Sequence, residues 1–569
     1  MLLLLRRTTT TTAAAAVVVF SRFSSSTTAA SNLPKPFSQI PWKHRSKAIQ
    51  ESQKALSEYL HTTRSLPFPY ADNIARNSPN SLSRIVSEIP FSPATFENSF
   101  QRFLRYHPVN ELEFLSESIG LNSEEKITIL PPNTFFLSDW KHFDVVCALA
   151  GLGFPWIKLG SLCKELLEID QWQLRNKIAE IKGFYGFNSV CVISICLVFP
   201  RVLYDEMDGL LTDLKTLFLD YDLLSCVEGN VDSMLDVCEK IKTFYDLGCE
   251  MGKIGELMGR SKSIFVEYSK EGLISKIDYF CKLNVQKDRI GLFLLSRPEY
   301  FGFDLESRVI SVSGFLKHFG LNETEVESLE KKYPHVFGRN RIANMPHIMR
   351  SVNLGEWFFE RLKNENPSLL DRYAISCTED LDKHYADNLT KIRAKRTYAH
   401  GLKKLNFLHN IGFGENRFAI KALFLLNSSS CQLQRRFDCL LRCGIEYSSL
   451  CAMVKLSAKI LNQQESILEK KIRFLCSDMG SSLQYLDVFP GYLCYDLEKR
   501  IRPRFELHRW LMEKGYCEKE YSISTIIASS EKAFVARISR IHEGAAKKWE
   551  EGLSERDGEL GCGEGAAAP

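Results

Sequence analysis

VSGFLKHFGLNETEVESLEKKYP, residues 312–334, carries the design of the chain in one stretch. Val312, Phe315, Leu316 and Phe319 recur at three- and four-residue spacing, so they share one face of a helix. Gly320 follows, and glycine takes the left-handed backbone that closes a helix at no steric cost. Asn322-Glu-Thr-Glu325 then offers a cap for a second helix. Pro334 ends that helix, because it lacks an amide hydrogen and bars the residue before it from helical geometry. From turn residue to proline is fourteen residues, and Tyr185-Gly186-Phe187 to Pro200 and Leu283-Asn284-Val285 to Pro298 repeat that interval. Weaker copies place Gly153, Gly248, Gly355, Gly412, Gly444 and Gly480 in the turn slot, some with Lys262 or Ala458 where proline is expected.

A unit recurring about every 31–36 residues with varied filling is the mark of a repeat array, in which each unit buries its apolar face only against its neighbours. The expected fold is all-α, a superhelical solenoid of helix–turn–helix repeats. Such a chain presents a long surface for binding and not a single deep catalytic pocket. The expected layout is an organelle transit peptide at 1–30, a proline-bearing linker and N-terminal cap at 31–95 with a short helix around Ser46–His61, and repeats over 96–515. The interval from Gly355 to Gly412 exceeds one period, which assigns the charged stretch 377–395 to an insertion. Residues 516–569 form a polar extension whose Gly- and acid-rich end is expected to be disordered.

Charge is unevenly spread. The net value is only +4, yet residues 391–548 hold 28 Lys/Arg against 15 Asp/Glu, a balance of +13. Residues 549–569 hold one Arg against six acids, −5, and 1–47 hold seven Lys/Arg and no acid. By difference 48–390 carries −11. A basic C-terminal third is the electrostatic footprint of a protein that binds a polyanion. The 17 cysteines sit inside apolar stretches such as Val190–Val198, where they act as small hydrophobes in a reducing compartment. No CxxC pair occurs, Cys439 and Cys443 lack a second ligand pair, and the histidines form no HExxH, so no metal or other cofactor is expected. The acid-free, Ser/Thr-rich start with Arg6, Arg7 and Arg22-Phe23-Ser24 has the composition of a transit peptide, with the mitochondrion favoured and the chloroplast as the alternative. The most apolar run, Val190–Pro200, is too short to span a bilayer, so no membrane role is expected.

Enzyme signatures are poor, and the chain is not expected to be an enzyme. Gly255-Glu-Leu-Met-Gly259-Arg260-Ser261 resembles a phosphate loop faintly, but has three residues between the glycines and arginine where lysine must reach the phosphates. Basic clusters are the stronger signal. Lys403-Lys404, Arg435-Arg436 with Arg442, Lys470-Lys471 with Arg473, and Lys499-Arg500 with Arg502 and Arg504 recur about once per repeat. Stacked units would align them into a ridge that neutralises phosphates and releases counterions. The competing reading is that these side chains cap helix C-termini and pair with neighbouring acids. Charge reversal at Arg500, Arg502 and Arg504 together is the test the ridge suggests.

The run Leu486-Asp-Val-Phe-Pro490-Gly-Tyr-Leu-Cys-Tyr-Asp-Leu-Glu-Lys-Arg500-Ile-Arg-Pro-Arg504, with Trp510-Leu511 and Lys514-Gly515 after it, resembles the closing repeat of plant mitochondrial transcription termination factor proteins. Leu405–Phe413, Leu433–Gly444 and the turn-to-proline units resemble that family too, so the likeness covers about 96–515. It implies a helical array that holds nucleic acid on a basic face and acts in organelle gene expression. The expected partner is double-stranded DNA, with regulation of transcription, chiefly termination, as the role. Structured organelle RNA in intron splicing, and a protein scaffold docked through the acidic half, are the alternatives.

Overall fold

The computed structural model describes residues 37, 40–107, 109–121, 134–140, 142–163, 165–166, 169–302, 309–341, 344–365, 370 and 382–551. The expected transit peptide, the first part of the insertion and the acidic end lie outside the described residues. The chain divides into two compact units, Met1–Lys242 and Thr243–Pro569.

The fold is all-α, with one short strand pair among the described residues. In the first unit, residues 42–88 form the helices Trp42–Thr62, Phe68–Arg76 and Pro79–Glu88, each with buried side chains. Repeats follow, and the Ser189–Val198 helix is buried nearly all round, its Cys191 and Cys196 packed as hydrophobes. All described cysteines are free, and no single described helix is long and apolar enough to cross a membrane.

Turn chemistry sets the helix ends. Gly153, Gly186, Gly248, Gly320, Gly412, Gly444 and Gly480 have positive φ, and Asn284 does the same work at φ 63. Gly355 does not. The left-handed residue of its repeat is Asn353 (φ 60), and Gly355 opens the Gly355–Asn364 helix. A Cβ there would lie 2.3 Å from the Leu283 carbonyl oxygen, so glycine serves the close approach of two repeats. Asn322 and Glu325 form the reciprocal capping box that their spacing suggests.

The break before the second half of each unit is not the proline's doing alone. Phe199, Arg297 and Phe489 precede Pro200, Pro298 and Pro490 with ψ of 66, 65 and 68. Ser457 adopts the same geometry, ψ 77, ahead of Ala458. A 3-10 turn then runs Pro200–Leu203, Ala458–Asn462 or Pro490–Cys494. The bend therefore does not require the proline ring.

In the second unit, residues on either side of the expected insertion meet directly. Gly414 N–H donates to the His335 carbonyl at 3.0 Å, and Asn416 Nδ2 reaches the same oxygen at 3.2 Å while capping the Arg417–Leu425 helix. The Met345–Ser351 helix packs on Tyr447–Leu456, where Tyr447 and His347 Nδ1 share a hydrogen bond of 2.8 Å. Of the expected insertion, the described part is the Lys383–Arg393 helix, capped by Asp382. Helical periodicity did not signal the antiparallel pair Val309–Ser311 with Arg339–Arg341.

Candidate nucleic-acid interface

The basic clusters separate into two populations. Lys404 is 8% exposed, and Lys471 and Arg504 are 1% exposed. Each points inward and donates to a carbonyl at the end of the following helical segment. Lys404 Nζ reaches Leu426 O at 2.7 Å, past the last residue of the Arg417–Leu425 helix. Arg436 Nη1 reaches Leu461 O at 2.8 Å, and Lys471 Nζ reaches Leu493 O at 2.9 Å, both carbonyls lying in the 3-10 turns described above. Arg504 Nη1 reaches Ile527 O at 3.1 Å and Ser529 O at 2.7 Å, at the end of the Ile523–Ala528 helix. Arg500 Nε joins it on Ile527 O at 2.9 Å.

These are repeat-equivalent ties. Terminal carbonyls lack intrahelical partners and carry the negative end of the helix dipole, so a buried cation satisfies both at once. Lys404 and Arg436 each stand eight residues before a turn glycine, and Lys471 nine before Gly480. The extra residue coincides with a π turn at Phe474–Asp478, which takes up one more residue than an α turn. Burial lowers the pKa of Lys404, Lys471 and Arg500. Aromatic rings complete the last tie, with Arg500 4.4 Å from the Tyr495 centroid and Arg504 4.5 Å from that of Phe534. Glu531 also pairs with Arg504 at 2.6 Å.

Five of the twelve expected ligand-facing residues, Lys404, Arg436, Lys471, Arg500 and Arg504, thus hold the array together, and reversing charge at Arg500 and Arg504 would test folding before binding. The other seven face outward: Lys403, Arg435, Arg442, Lys470, Arg473 and Lys499 are exposed and Arg502 half-exposed. Lys403, Arg435 and Lys470 immediately precede a tie residue in three consecutive repeats, so the inward-tied partner fixes the direction in which each exposed one leaves its helix. Arg442 approaches Glu465 of the next repeat at 3.7 Å, and Arg502 rests against Glu498 at 3.0 Å and over the Phe474 ring at 4.7 Å.

Sequence reasoning passed over two further features. Lys391, Arg393, Lys395 and Arg396 are all exposed at and just past the end of the Lys383–Arg393 helix, with Lys395 Nζ 5.9 Å from the Phe424 ring centre. Phe424, Leu456 and Val488, spaced by 32 residues, are exposed at the ends of successive second helices. The period alone would have found that row. The phosphate-loop reading fails, because Gly255–Arg260 is a helix with both glycines buried. Among the described residues no group of His, Cys, Asp and Glu could hold a metal ion.

Comparison with known proteins converges on one family. The family model described as mTERF matches residues 222–355 and 401–535. The mitochondrial transcription termination factor MTEF18 of Arabidopsis thaliana is 45% identical over 529 residues, covering 91% of this chain and 95% of that protein. Two more distant Arabidopsis relatives are the mitochondrial MTERF15, 29% identical over 46% of the chain and 45% of its own length, and the chloroplastic MTERF8, 25% identical over 41% and 43%. The mitochondrial destination expected from the leader agrees with the designation of the relative that spans nearly the whole chain.

Proposed function

The chain belongs to the mTERF family of organelle helical-repeat proteins, and from that premise we propose that its C-terminal repeats bind double-stranded nucleic acid in the mitochondrion and regulate transcription, at the termination step. The observation that carries this reading is the placement of Lys403, Arg435 and Lys470, exposed at the same position of three consecutive repeats beside a buried or half-buried cation tied to a backbone carbonyl. Repeats of packed helices succeed one another at about 8–10 Å, and duplex phosphates along one strand at about 3.4 Å per base pair. One cation per repeat therefore meets about every third phosphate. Contacts of this kind set position along a duplex without reading its sequence. A bound array would impede an advancing polymerase by occupancy, which calls for no bond-making group. The name of the nearly full-length relative, a transcription termination factor, is in keeping with that role.

The test is binding to a mitochondrial DNA duplex, followed by fluorescence anisotropy across a salt series, for the wild type and for Lys403→Gln/Arg435→Gln/Lys470→Gln. Each lost phosphate contact reduces the slope of log K against log salt by about 0.9, so the triple variant should be shallower by about 2.7. An unchanged slope in a folded triple variant would remove the ridge from the account. Crosslinking in mitochondria with sequencing of the bound strands separates DNA from structured RNA.

A further inference from the structure

We propose that the ends of the second helices in three consecutive repeats form a docking strip for a protein helix that is apolar at seven-residue intervals and acidic along its flanks. Phe424, Leu456 and Val488 stand at one position of the repeat, at or next to the ends of the Arg417–Leu425, Tyr447–Leu456 and Tyr485–Val488 helices, and are 58%, 63% and 81% exposed. Single exposed apolar side chains are ordinary; a row at equivalent positions of stacked units is a continuous surface. These helices pack side by side, and matching hydrogen bonds keep their ends in step. Asn462 Nδ2 donates to Leu425 O at 2.8 Å, and Ser457 Oγ and Cys494 Sγ share a hydrogen bond of 3.3 Å, each spanning 37 residues. Both bonds start at the residue after a row member, so the fold itself sets the spacing of the row.

Charge beside the row selects the occupant. Within three residues of its members on either side the chain carries Lys421, Lys455 and Lys459 against Asp487, and Lys395 Nζ lies 5.9 Å from the Phe424 ring centre. Lys395, Lys421 and Lys459 are exposed and, unlike Arg442 and Arg502, have no ion-pair partner among the described residues. Adjacent packed helices lie about 8–10 Å apart, and seven residues of α-helix rise about 10.5 Å. A helix laid across the three ends therefore sets one apolar side chain of every heptad on Phe424, Leu456 and Val488 in turn, and carboxylates beside them meet the lysines. A single nucleic-acid strand is the poorer match, because leucine and valine offer no ring on which a base can stack. The row belongs to second helices, whereas Lys403, Arg435 and Lys470 leave the first helices Tyr398–Asn410, Ser430–Arg442 and Glu465–Arg473, so substitution can address the two surfaces separately.

The experiment follows a fluorescein-labelled, alanine-rich helical peptide of about 22 residues, with leucine at every seventh position and glutamate on both sides of it, as the full chain is added in an anisotropy titration. Saturable binding is expected, about tenfold tighter than for the same peptide with its leucines at every fifth position or with lysine in place of glutamate. Leu456→Asp/Val488→Asp should weaken it at least about tenfold, and Phe424→Ser, at the other end of the strip, should weaken it too and gives an independent reading if the double variant fails to fold. The double variant should keep the wild-type salt slope on duplex DNA. No saturable binding, equal affinity for the three peptides, or undiminished binding in Phe424→Ser or in the folded double variant would each overturn the proposal. So would a lost salt slope on duplex DNA, or a loss of single-stranded oligonucleotide binding, in the folded double variant.

Discussion

Two adjacent lysines should give opposite phenotypes. Lys471 is buried and bonded to Leu493 O at 2.9 Å and Gln463 Oε1 at 3.3 Å, whereas Lys470 is exposed. Lys471→Met keeps the aliphatic stem and its packing but removes the charged donor. A hydrogen bond to a charged group contributes about 1.5–3 kcal/mol, and the abandoned Leu493 carbonyl adds its own desolvation cost. Relief from burying the ammonium offsets part of this, leaving an expected loss of about 2–3 kcal/mol. Lys470→Met should stay within about 0.5 kcal/mol of wild type while reducing the salt slope of DNA binding by about 0.9. Urea unfolding followed by tryptophan fluorescence reads the first effect, with midpoints compared at equal m. Anisotropy at several salt concentrations reads the second. The reasoning fails if Lys471→Met unfolds at the wild-type midpoint, or if Lys470→Met is equally destabilised.

His335 is fully buried against Phe413, and burial pushes its pKa down to about 3. Between pH 6.5 and 3 the unfolded chain takes up a proton that the native ring refuses, so stability falls as the medium is acidified; at pH 5 the share from this group is about 2 kcal/mol. His335→Phe should therefore match wild type near pH 7.5 and exceed it at pH 5 in urea melts, and parallel profiles would contradict the assignment. Gly355→Ala places a methyl against the Leu283 carbonyl and should cost about 1–3 kcal/mol, visible as a lowered Tm; Gly480→Ala, with open space around its Cβ but φ 62, should lose only about 1 kcal/mol.

Local requirements were legible in the sequence and shared ones were not. A left-handed turn must be made by the residue at that position, so Gly320, Gly412 and Gly444 announce themselves, as does Asn284. Gly355 misleads because its glycine answers to a carbonyl of another repeat, which no local pattern records. The tie residues misled for a related reason. Lysine and arginine count as solvent-seeking, yet Lys471 sits among Leu468, Ile472 and Leu475, and Arg436 among Leu433, Phe437 and Leu440, all buried. A cation flanked by apolar residues at −3, +1 and +4 lies on the inner face of its helix, and that flanking pattern is the available signal. Its outer neighbour lacks it. The π turns at Thr216–Asp220 and Leu497–Ile501 had no such mark.

The separation between cation and carbonyl within each brace is nearly constant: 22 residues from Lys404 to Leu426, 25 from Arg436 to Leu461, 22 from Lys471 to Leu493 and 23 from Arg504 to Ile527. A length change inside such a bay beyond the few residues by which these spans differ, or the one that the π turn at Phe474–Asp478 takes up, would pull an ammonium or guanidinium off its anchor. Extra chain is better accommodated between bays, and the Lys383–Arg393 helix ahead of Tyr398 lies outside all four. The modules of this protein can consequently drift apart in number and in linker length while each remains fixed in span.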